Sequence, residues 1–243
     1  MREVDFKVIH NKQIARDIYE MLLEGDTSDI VKPGQFVNIK LPYQYLRRPI
    51  SICDYNDKEF TIIYKIVGIG TKFMSEISTG MTLSILSGLG NGYEIHEAGK
   101  SLLVGGGVGV APLYVLAKKL LERNIKPDVL LGFNSIEDCF YVNKFQTLGL
   151  NVRITTLDGS YGTKGLVTNF INNDEYVYAC GPLPMLKAVY KKVCDGQFSF
   201  ESRMACGFGV CMGCSMRTKN GYKRICTDGP VLKYSEILWG NEA

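Results

Sequence analysis

Four cysteines near the C-terminal end of this 243-residue chain constrain its fold more than any other feature. Cys206, Cys211, Cys214 and Cys226 follow the spacing C-x4-C-x2-C-x11-C. The first three match the plant-type ligand pattern of a [2Fe–2S] cluster, in which the fourth cysteine comes from further along the chain. Glycines between the ligands suit a loop that wraps a cluster and directs backbone N–H groups at its sulfurs. We therefore predict a [2Fe–2S] centre with these four ligands.

Two other uses of the cysteines stay open at this point. A structural zinc site usually takes two short-spaced pairs, and here only Cys211 and Cys214 form such a pair. Disulfides or unligated core cysteines are the remaining alternative. The first residues are charged throughout and lack the apolar core of a signal peptide, so we expect a reducing compartment, the cytoplasm.

Charge and hydropathy exclude two classes of partner. The formal net charge is +3, and no run of Lys or Arg has the density of a nucleic-acid-binding tail. The most apolar stretch, residues 101–121, is interrupted by three successive glycines and a proline. Since a membrane-spanning helix needs about 20 apolar residues, we expect neither nucleic acid nor a membrane as a partner.

The first 97 residues have the pattern of short strands and turns. Residues 14–21 alternate as one strand, and a Lys-Pro-Gly-Gln turn at 32–35 precedes the next. The further candidate strands cover residues 36–39, 50–54, 60–67 and 82–86. Many short strands at close spacing predict a small antiparallel β-barrel, which we assign to residues 1–97.

From residue 98 the pattern changes to alternating strands and helices. Predicted parallel strands cover residues 101–104, 128–132, 152–156 and 176–179, and predicted helical segments cover 113–121 and 135–148. This order is typical of a Rossmann-like parallel α/β domain, which we assign to residues 98–197. Residues 198–243, with the four cysteines, form the predicted cluster domain.

A glycine-rich loop follows the first strand of the α/β domain. The strand, loop and helix arrangement lets a backbone approach a pyrophosphate, with a proline in the first helical turn. The sequence GGGVGVAP departs from G-x-G-x-x-G because the third glycine is replaced by Val110. The candidate nucleotide-binding residues are Gly105, Gly106, Gly107, Gly109 and Pro112, together with Gly181, Pro182 and Met185 after the last strand.

The choice between NADH and NADP is predicted from the absence of Arg and Lys in two loops of the α/β domain. A 2′-phosphate requires Arg or Lys near the end of the second strand of such a domain. The loop there contains Glu137 and Asp138, and the loop after the next strand, residues 158–160, contains no cation. Acidic side chains disfavour a phosphate, so we predict NADH in preference to NADP.

Two motifs in the barrel carry a resemblance to a known family. An Arg-x-x-Ser element, Arg48 to Ser51, enters one strand, and Gly70-Thr71 opens a short helix after the next. Taken alone, Arg48 is better explained as a surface charge and Thr71 as a helix N-cap. Together with GGGVGVAP and the CGPxxM element at 180–185, however, these motifs resemble the ferredoxin reductase superfamily.

The resemblance implies FAD in the barrel. Arg48 would pair with the flavin pyrophosphate, Ser51 would hydrogen-bond the isoalloxazine, and Gly70-Thr71 would place phosphate at a helix start. Cys180 would face the nicotinamide and flavin rings, as a catalytic residue; its alternative is a small buried hydrophobe. The implied FAD-binding residues are Arg48, Pro49, Ile50, Ser51, Ile63, Tyr64, Lys65, Gly70 and Thr71.

The order of barrel, nucleotide domain and cluster loop is similar to electron transfer subunits of class 1B dihydroorotate dehydrogenases. The resemblance implies that NADH reduces FAD and that single electrons pass through the cluster to, or from, an FMN-containing catalytic subunit in pyrimidine biosynthesis. It implies a heterotetramer with two copies of each subunit. The chain alone would oxidise NADH and would not bind orotate.

Two other functions stay open. Flavin and [2Fe–2S] subunits of ferredoxin:NAD(P) oxidoreductases or hydrogenase complexes share much of this layout. A zinc-stabilised nucleotide-binding regulator without redox turnover is a more distant alternative.

Overall fold

The computed structural model describes residues 1–172 and 174–239, so residues 240–243 of the predicted cluster domain lie outside the described part. No helix in that part is long and apolar enough to cross a membrane. The barrel elements are β1 (Arg2–Ala15), β2 (Ile18–Glu24), β3 (Phe36–Ile39), β4 (Arg48–Tyr55), β5 (Glu59–Lys65), α1 (Ile69–Ser75) and β6 (Thr82–Leu89). They are followed by β7 (Ser101–Gly106), α2 (Ala111–Glu122), β8 (Asp128–Phe133), α3 (Val142–Thr147), β9 (Val152–Thr156), β10 (Thr163–Lys164), β11 (Tyr176–Cys180), α4 (Leu183–Tyr190), β12 (Gly196–Ser199), β13 (Ser215–Thr218), β14 (Gly221–Arg224) and β15 (Val231–Lys233).

The predicted antiparallel barrel is confirmed. Its strands close in the order β1-β2-β5-β4-β3-β6. Because side chains alternate along a strand, Val37 and Ile39 of β3 point into the barrel core, whereas Phe36 packs outward against the α/β domain. The outer face of β3 and β4 therefore meets the rest of the molecule.

The single strand predicted over residues 14–21 is wrong. β1 ends at Ala15 and β2 begins at Ile18, and the two strands pair in antiparallel fashion across a tight turn. Asp17 in the turn has a φ of 58°, a left-handed conformation that Asp tolerates better than most residues. An uninterrupted alternation of polar and apolar residues gives no sign of a turn this short.

The α/β domain is built on a seven-stranded sheet in the order β10-β9-β8-β7-β11-β12-β15. All strand pairs except β12 with β15 are parallel. The chain runs outward from β7 to β8 and β9 on one side, then returns to β11 on the other. The crevice at the carboxyl ends of β7 and β11 is thus a topological switch point, where open α/β sheets bind ligands.

The helix predicted over residues 135–148 is interrupted. A short 3₁₀ turn at Ile136–Asp138 and helix α3 are separated by residues 139–141. Tyr141 has a φ of 62°, a left-handed conformation that interrupts the helix, and its hydroxyl donates a hydrogen bond to Glu20 of the barrel (2.8 Å). No local sequence pattern signals this interruption.

The cysteine segment leaves the sheet and returns to it. The predicted domain boundary at 197/198 falls within β12, and β15 pairs with that strand after the segment has ended. A backbone hydrogen bond from Phe200 to Pro230 (2.8 Å) joins the two ends. Between them lie the cysteines and the hairpin of β13 and β14. The segment is therefore anchored to the α/β domain on both sides.

Candidate functional site

The two motifs predicted to bind the nicotinamide nucleotide meet at the switch point. Cys180 lies opposite Gly105 in the β11–β7 register. A Cβ atom built on Gly109 would lie 2.4 Å from the carbonyl oxygen of Cys180 and 2.6 Å from the Cα atom of Gly181. Only glycine allows these two backbones to approach so closely.

Met185 closes the same junction from helix α4. Cβ atoms built on Gly106 and Gly181 would come within 2.4 and 2.6 Å of its side chain. Pro182 precedes that helix, and Pro112 is buried in the first turn of α2. Gly107 has a φ of 53°, and a Cβ built on it would meet no atom within 4 Å. The predicted residues therefore form one junction with an open backbone edge at Gly107.

Cys180 is buried at this crevice, with 9% of its surface exposed. Burial raises the pKa of its thiol to about 12, although hydrogen bonds with Ser199 and Tyr93 oppose the shift. The Tyr93 hydroxyl also donates to the carbonyl oxygen of Ala179 (3.1 Å). The thiol is therefore neutral at physiological pH, which suits packing against a ring and does not suit a thiolate nucleophile.

The pKa of Cys180 leads to a pH prediction. Because it is raised to about 12, the thiol keeps its proton across the neutral range. We expect the rate at which NADH bleaches the flavin to show no titration from Cys180 between about pH 6 and pH 9. Stopped-flow profiles of the native chain and Cys180→Ser should therefore have the same shape. A titration present only in the native chain would contradict a neutral thiol.

Arg48 and Gly70, which the resemblance assigns to the flavin phosphates, are in contact. A Cβ atom on Gly70 would lie 2.0 Å from Nε of Arg48, so the missing side chain leaves room for the guanidinium. Arg48 also donates to the carbonyl oxygen of Leu46 (2.5 Å) and to Oε1 of Gln44 (2.7 Å). A guanidinium held at the start of α1 is suited to an anionic phosphate.

Thr71 stabilises the turn before this helix. Its hydroxyl oxygen accepts hydrogen bonds from the backbone N–H groups of Val67 (2.8 Å) and Gly68 (3.2 Å). Thr71 occupies the third helical position, so the N-cap alternative is wrong; Gly68 is the N-cap. The side chain therefore shapes the loop that presents the helix start.

The strand residues assigned to the flavin divide between two faces. Pro49 and Ser51 of β4 lie opposite Asn38 and Phe36 of β3 and share their outward face. The side chain of Tyr64 is 2% exposed and points into the barrel, where its hydroxyl donates to Oδ1 of Asn11 (2.8 Å). Tyr64 can therefore meet a ligand in this arrangement only through its backbone.

Sequence reasoning missed the exposed aromatic residues beside Arg48. Tyr43 and Tyr45 are almost completely exposed, as are most of Val67 and Ile69 around α1. A cavity of about 670 Å³ adjoins the two tyrosines, lined by residues 40–45, Phe73, Ile77 and residues 81–84. Apolar side chains exposed at such density mark a binding surface. The sequence YQYLRR, two tyrosines in a polar loop, is the signal that was available.

Replacement of Arg48 by alanine tests the flavin assignment. Loss of a charge-assisted hydrogen bond costs about 1.5–3 kcal/mol, so we expect flavin affinity to fall at least about tenfold. Flavin retained after gel filtration and titration of the flavin-free chain would measure it. Arg47→Ala is the matched control, because Arg47 pairs instead with Glu3 (2.5 Å). Equal flavin retention in both variants would make Arg48 a surface charge only.

The four predicted cluster ligands lie in two pairs. The backbone N–H of Cys211 donates to Sγ of Cys206 (3.4 Å), and that of Cys226 donates to Sγ of Cys214 (3.4 Å). Cys211 is exposed, Cys206 is half-buried, and Cys214 and Cys226 are buried. All eight cysteines are free thiols. Within residues 1–172 and 174–239, no three His, Cys, Asp or Glu side chains converge on the position of a single metal ion.

Backbone N–H groups favour negative charge in the loop. Burial acts to raise the pKa of the Cys206 thiol, but N–H groups of Cys211, Phe208 and Val210 outweigh it and lower the pKa to about 6. Burial, with the neighbouring Cys214, raises the pKa of Cys226 to about 12. Four thiols with converging N–H donors are the donor set that a [2Fe–2S] cluster uses.

Sequence reasoning also missed the ion pair that braces this loop. The Nη1 atom of Arg224 donates to the carbonyl oxygen of Gly209 (3.0 Å), and its Nε donates to Asp228 (3.1 Å). Asp228 also accepts from the backbone N–H of Arg224 (2.8 Å). These residues flank Cys226 on both sides, so the fourth ligand sits in a fixed turn.

The electrostatic premise of the NADH prediction needs correction. Glu137 and Asp138 are paired with Arg16 of the barrel, at 2.6 and 2.9 Å, and Asp138 is buried. A single cation therefore offsets part of the negative charge of this loop, because the β1–β2 turn brings Arg16 there from a distant part of the sequence. Asp158 remains exposed after β9, with its pKa lowered by hydrogen bonds from Ser160.

Comparison with known proteins agrees with this geometry. Residues 201–238 match the protein family described as "Iron-sulfur cluster binding domain of dihydroorotate dehydrogenase B". The chain is 45% identical to the dihydroorotate dehydrogenase B (NAD(+)) electron transfer subunit of Fusobacterium nucleatum subsp. nucleatum, over 98% of this chain and 99% of that one. It is 43% identical to the protein of the same name from a Geobacillus species, with the same coverage.

Two solved structures are similar in fold. One, from the NADH-dependent reduced ferredoxin–NADP oxidoreductase, has a TM-score of 0.88 and 30% identity, covering 96% of this chain and 90% of that one. The other, phthalate dioxygenase reductase, has a TM-score of 0.67 and 17% identity, covering 89% and 87%. The second likeness concerns the fold alone.

A closed barrel, a nucleotide crevice at a switch point and a four-cysteine loop together define the class of ferredoxin-reductase-like electron transfer proteins. Within this class, the chain belongs to the family of dihydroorotate dehydrogenase B electron transfer subunits. Membership in a family of electron transfer subunits implies a catalytic partner subunit.

Proposed function

We propose that the chain transfers electrons from NADH through FAD and a [2Fe–2S] cluster to a dihydroorotate dehydrogenase catalytic subunit. One observation carries the proposal. The approach of Gly109 to Cys180 forms a nucleotide crevice in the same molecule as Arg48 at the start of α1, Ser51 on the outer face of β4 and a four-cysteine loop. Residues 1–97, 98–197 and 198–243 take the flavin, the nucleotide and the cluster in that order.

The protein supplies binding and positioning. When bound, the flavin would supply hydride acceptance together with one-electron release, and the cluster would supply one-electron transfer. Arg48 would hold the flavin pyrophosphate, and Gly105 to Gly109 would let the pyrophosphate of the nicotinamide nucleotide approach the protein backbone. Neutral Cys180 packs at the crevice. No residue has to act as general acid or base.

The partner is an FMN-containing subunit, assembled with this chain as a heterotetramer with two copies of each. Phe208, Val210 and Met212 in the cysteine loop are 39%, 75% and 53% exposed. Apolar side chains that surround a redox centre without being covered support a docking surface there. Orotate chemistry belongs to the partner, and the location is the cytoplasm, as the sequence predicts.

A second candidate is a subunit of a ferredoxin:NAD(P) oxidoreductase. The observation that favours it is the likeness to the NADH-dependent reduced ferredoxin–NADP oxidoreductase chain over nearly the whole length. The two candidates share the electron path and differ in the protein that receives the electrons.

The proposal is tested with anaerobically purified protein. Its absorption spectrum is expected to show flavin and [2Fe–2S] bands that NADH bleaches, with two iron and two sulfide ions per chain as that cluster requires. A colourless zinc protein would contradict it. Co-purification with an FMN subunit that reduces orotate supports the first candidate, and recovery with a ferredoxin-binding partner supports the second.

A further inference from the structure

Asn38 connects the flavin-binding face of the barrel with the first cysteine of the cluster loop. It lies in β3, directly opposite Pro49 of the Arg-x-x-Ser motif. Residues opposite each other in an antiparallel pair share a face and lie about 4.5–5.5 Å apart at Cβ. On that face, Nδ2 of Asn38 donates a hydrogen bond to the carbonyl oxygen of Cys206 (3.2 Å).

The contact is close and depends on a glycine. A Cβ atom built on Gly207 would lie 2.4 Å from Nδ2 of Asn38, and Gly207 has a φ of 79°. Both the left-handed conformation and the missing side chain let the loop settle against β3. Phe36, the next outward residue of β3, packs in the same cluster as Cys214 and Cys226. The cluster loop therefore rests on the strand beside the flavin motif.

Stability alone does not explain an asparagine at this position. Asn38 is 1% exposed, and its Oδ1 atom has no hydrogen-bond donor among the described residues. A buried polar atom without a partner is unfavourable, and an apolar residue of similar shape would avoid that cost. What asparagine provides and leucine cannot is the donor to Cys206.

We propose that Asn38 is a positioning residue that fixes the cluster loop against the flavin-binding face and so sets the separation across which electrons pass. The proposal rests on the proposed function, because it takes the flavin to lie at Pro49 and Ser51 and the cluster at Cys206. Asn38 itself contacts neither the flavin nor the cluster in this proposal. Its effect is transmitted through the Cys206 backbone.

The first test needs no cofactor. In the flavin- and cluster-free chain, Asn38→Leu removes the donor while keeping the branched outline of the side chain. Loss of one buried hydrogen bond is expected to raise the hydrogen-exchange rate of the backbone amides of residues 206–211 about fivefold. Ser87→Ala is the matched control, since Ser87 is also buried, has an unpartnered hydroxyl in the described chain, and shares a face of β6 with Ile85 of the barrel core. Equal exchange in Asn38→Leu and Ser87→Ala would overturn the proposal.

The second test uses the loaded chain in anaerobic stopped flow. NADH should bleach the flavin of Asn38→Leu at the native rate, whereas reduction of the cluster should slow at least about threefold, in line with the loosened contact. A purely structural role would lower thermal stability without separating the two rates. Unchanged cluster reduction together with unchanged exchange would overturn the proposal.

A second variant keeps the test decisive if Asn38→Leu does not fold. Asn38→Ala carries no donor and is smaller than asparagine, so it cannot crowd the loop, and the same amides should exchange faster than in Ser87→Ala. Native exchange in Asn38→Ala would overturn the proposal. Protein that binds neither FAD nor iron would reject the proposed function, while the exchange measurement would still decide the role of Asn38.

Discussion

Replacing Cys211 with serine is expected to abolish electron delivery to the partner while leaving flavin reduction by NADH intact. Cys211 is exposed, and its backbone N–H bonds to Sγ of Cys206, so the similar size of serine should preserve the loop. Its hydroxyl, however, does not supply the thiolate that the cluster requires. Since changes to groups that only support metal ligands already cost 10–100-fold, we expect at least about a hundredfold loss of electron delivery.

The measurement compares iron content, NADH bleaching of the flavin and reduction of an added partner subunit. Cys194→Ser is the matched control, because Cys194 is an exposed thiol outside the four-cysteine loop. We expect it to keep both iron and electron delivery. Native electron delivery by Cys211→Ser would reject the cluster assignment, whereas loss of flavin bleaching would mean that the variant disturbs more than the loop.

The features that the sequence predicts well are those determined by residues close together in the chain. Cys206, Cys211 and Cys214 lie within nine residues, so their ligand spacing can be recognised without knowledge of distant contacts. The glycine motif also predicts its own surroundings, because residues without side chains mark places where a backbone comes close. Gly109 lies at such a place, against the backbone of Cys180, while the approach to a pyrophosphate stays a prediction.

Contacts between domains could not be predicted in the same way. Asn38 bonds a residue 168 positions away, and Arg16 pairs with one 122 positions away. Neither belongs to a motif, and nothing in their neighbouring residues indicates a partner. Arg16 illustrates the consequence. The charge of the acidic loop at Asp138 can be used to predict the choice between NADH and NADP only when the cation paired with that loop is known. The contacts of such residues depend on how the folded domains pack against each other.

Substitutions in the three parts of the molecule are expected to affect different steps of electron transfer. We expect Arg48 to act on flavin retention, Gly109 on the nucleotide crevice and Cys211 on the exit of electrons. Because each lies in its own part of the fold, single changes should interrupt the electron path at distinguishable points. Distant sites of this kind usually contribute independently.

Gly109→Ala is expected to have the second large effect, at the entrance of the electron path. The new Cβ atom would lie 2.4 Å from the carbonyl oxygen and 2.5 Å from the carbonyl carbon of Cys180. Both are backbone atoms of a buried strand, so the crevice itself must widen. Overpacking of this kind costs about 1–3 kcal/mol of unfolding free energy, and we expect flavin reduction by NADH to slow at least about tenfold.

Gly149→Ala separates crowding from backbone strain. Gly149 also has a left-handed φ, 77°, but a Cβ atom there meets no atom within 4 Å. We expect it to lose about 1 kcal/mol of stability, from the left-handed conformation alone, with an unchanged rate of flavin reduction. Denaturant unfolding and anaerobic stopped flow measure the two quantities. If both variants reduced flavin at the native rate, the close approach of Gly109 to Cys180 would have no part in nucleotide binding.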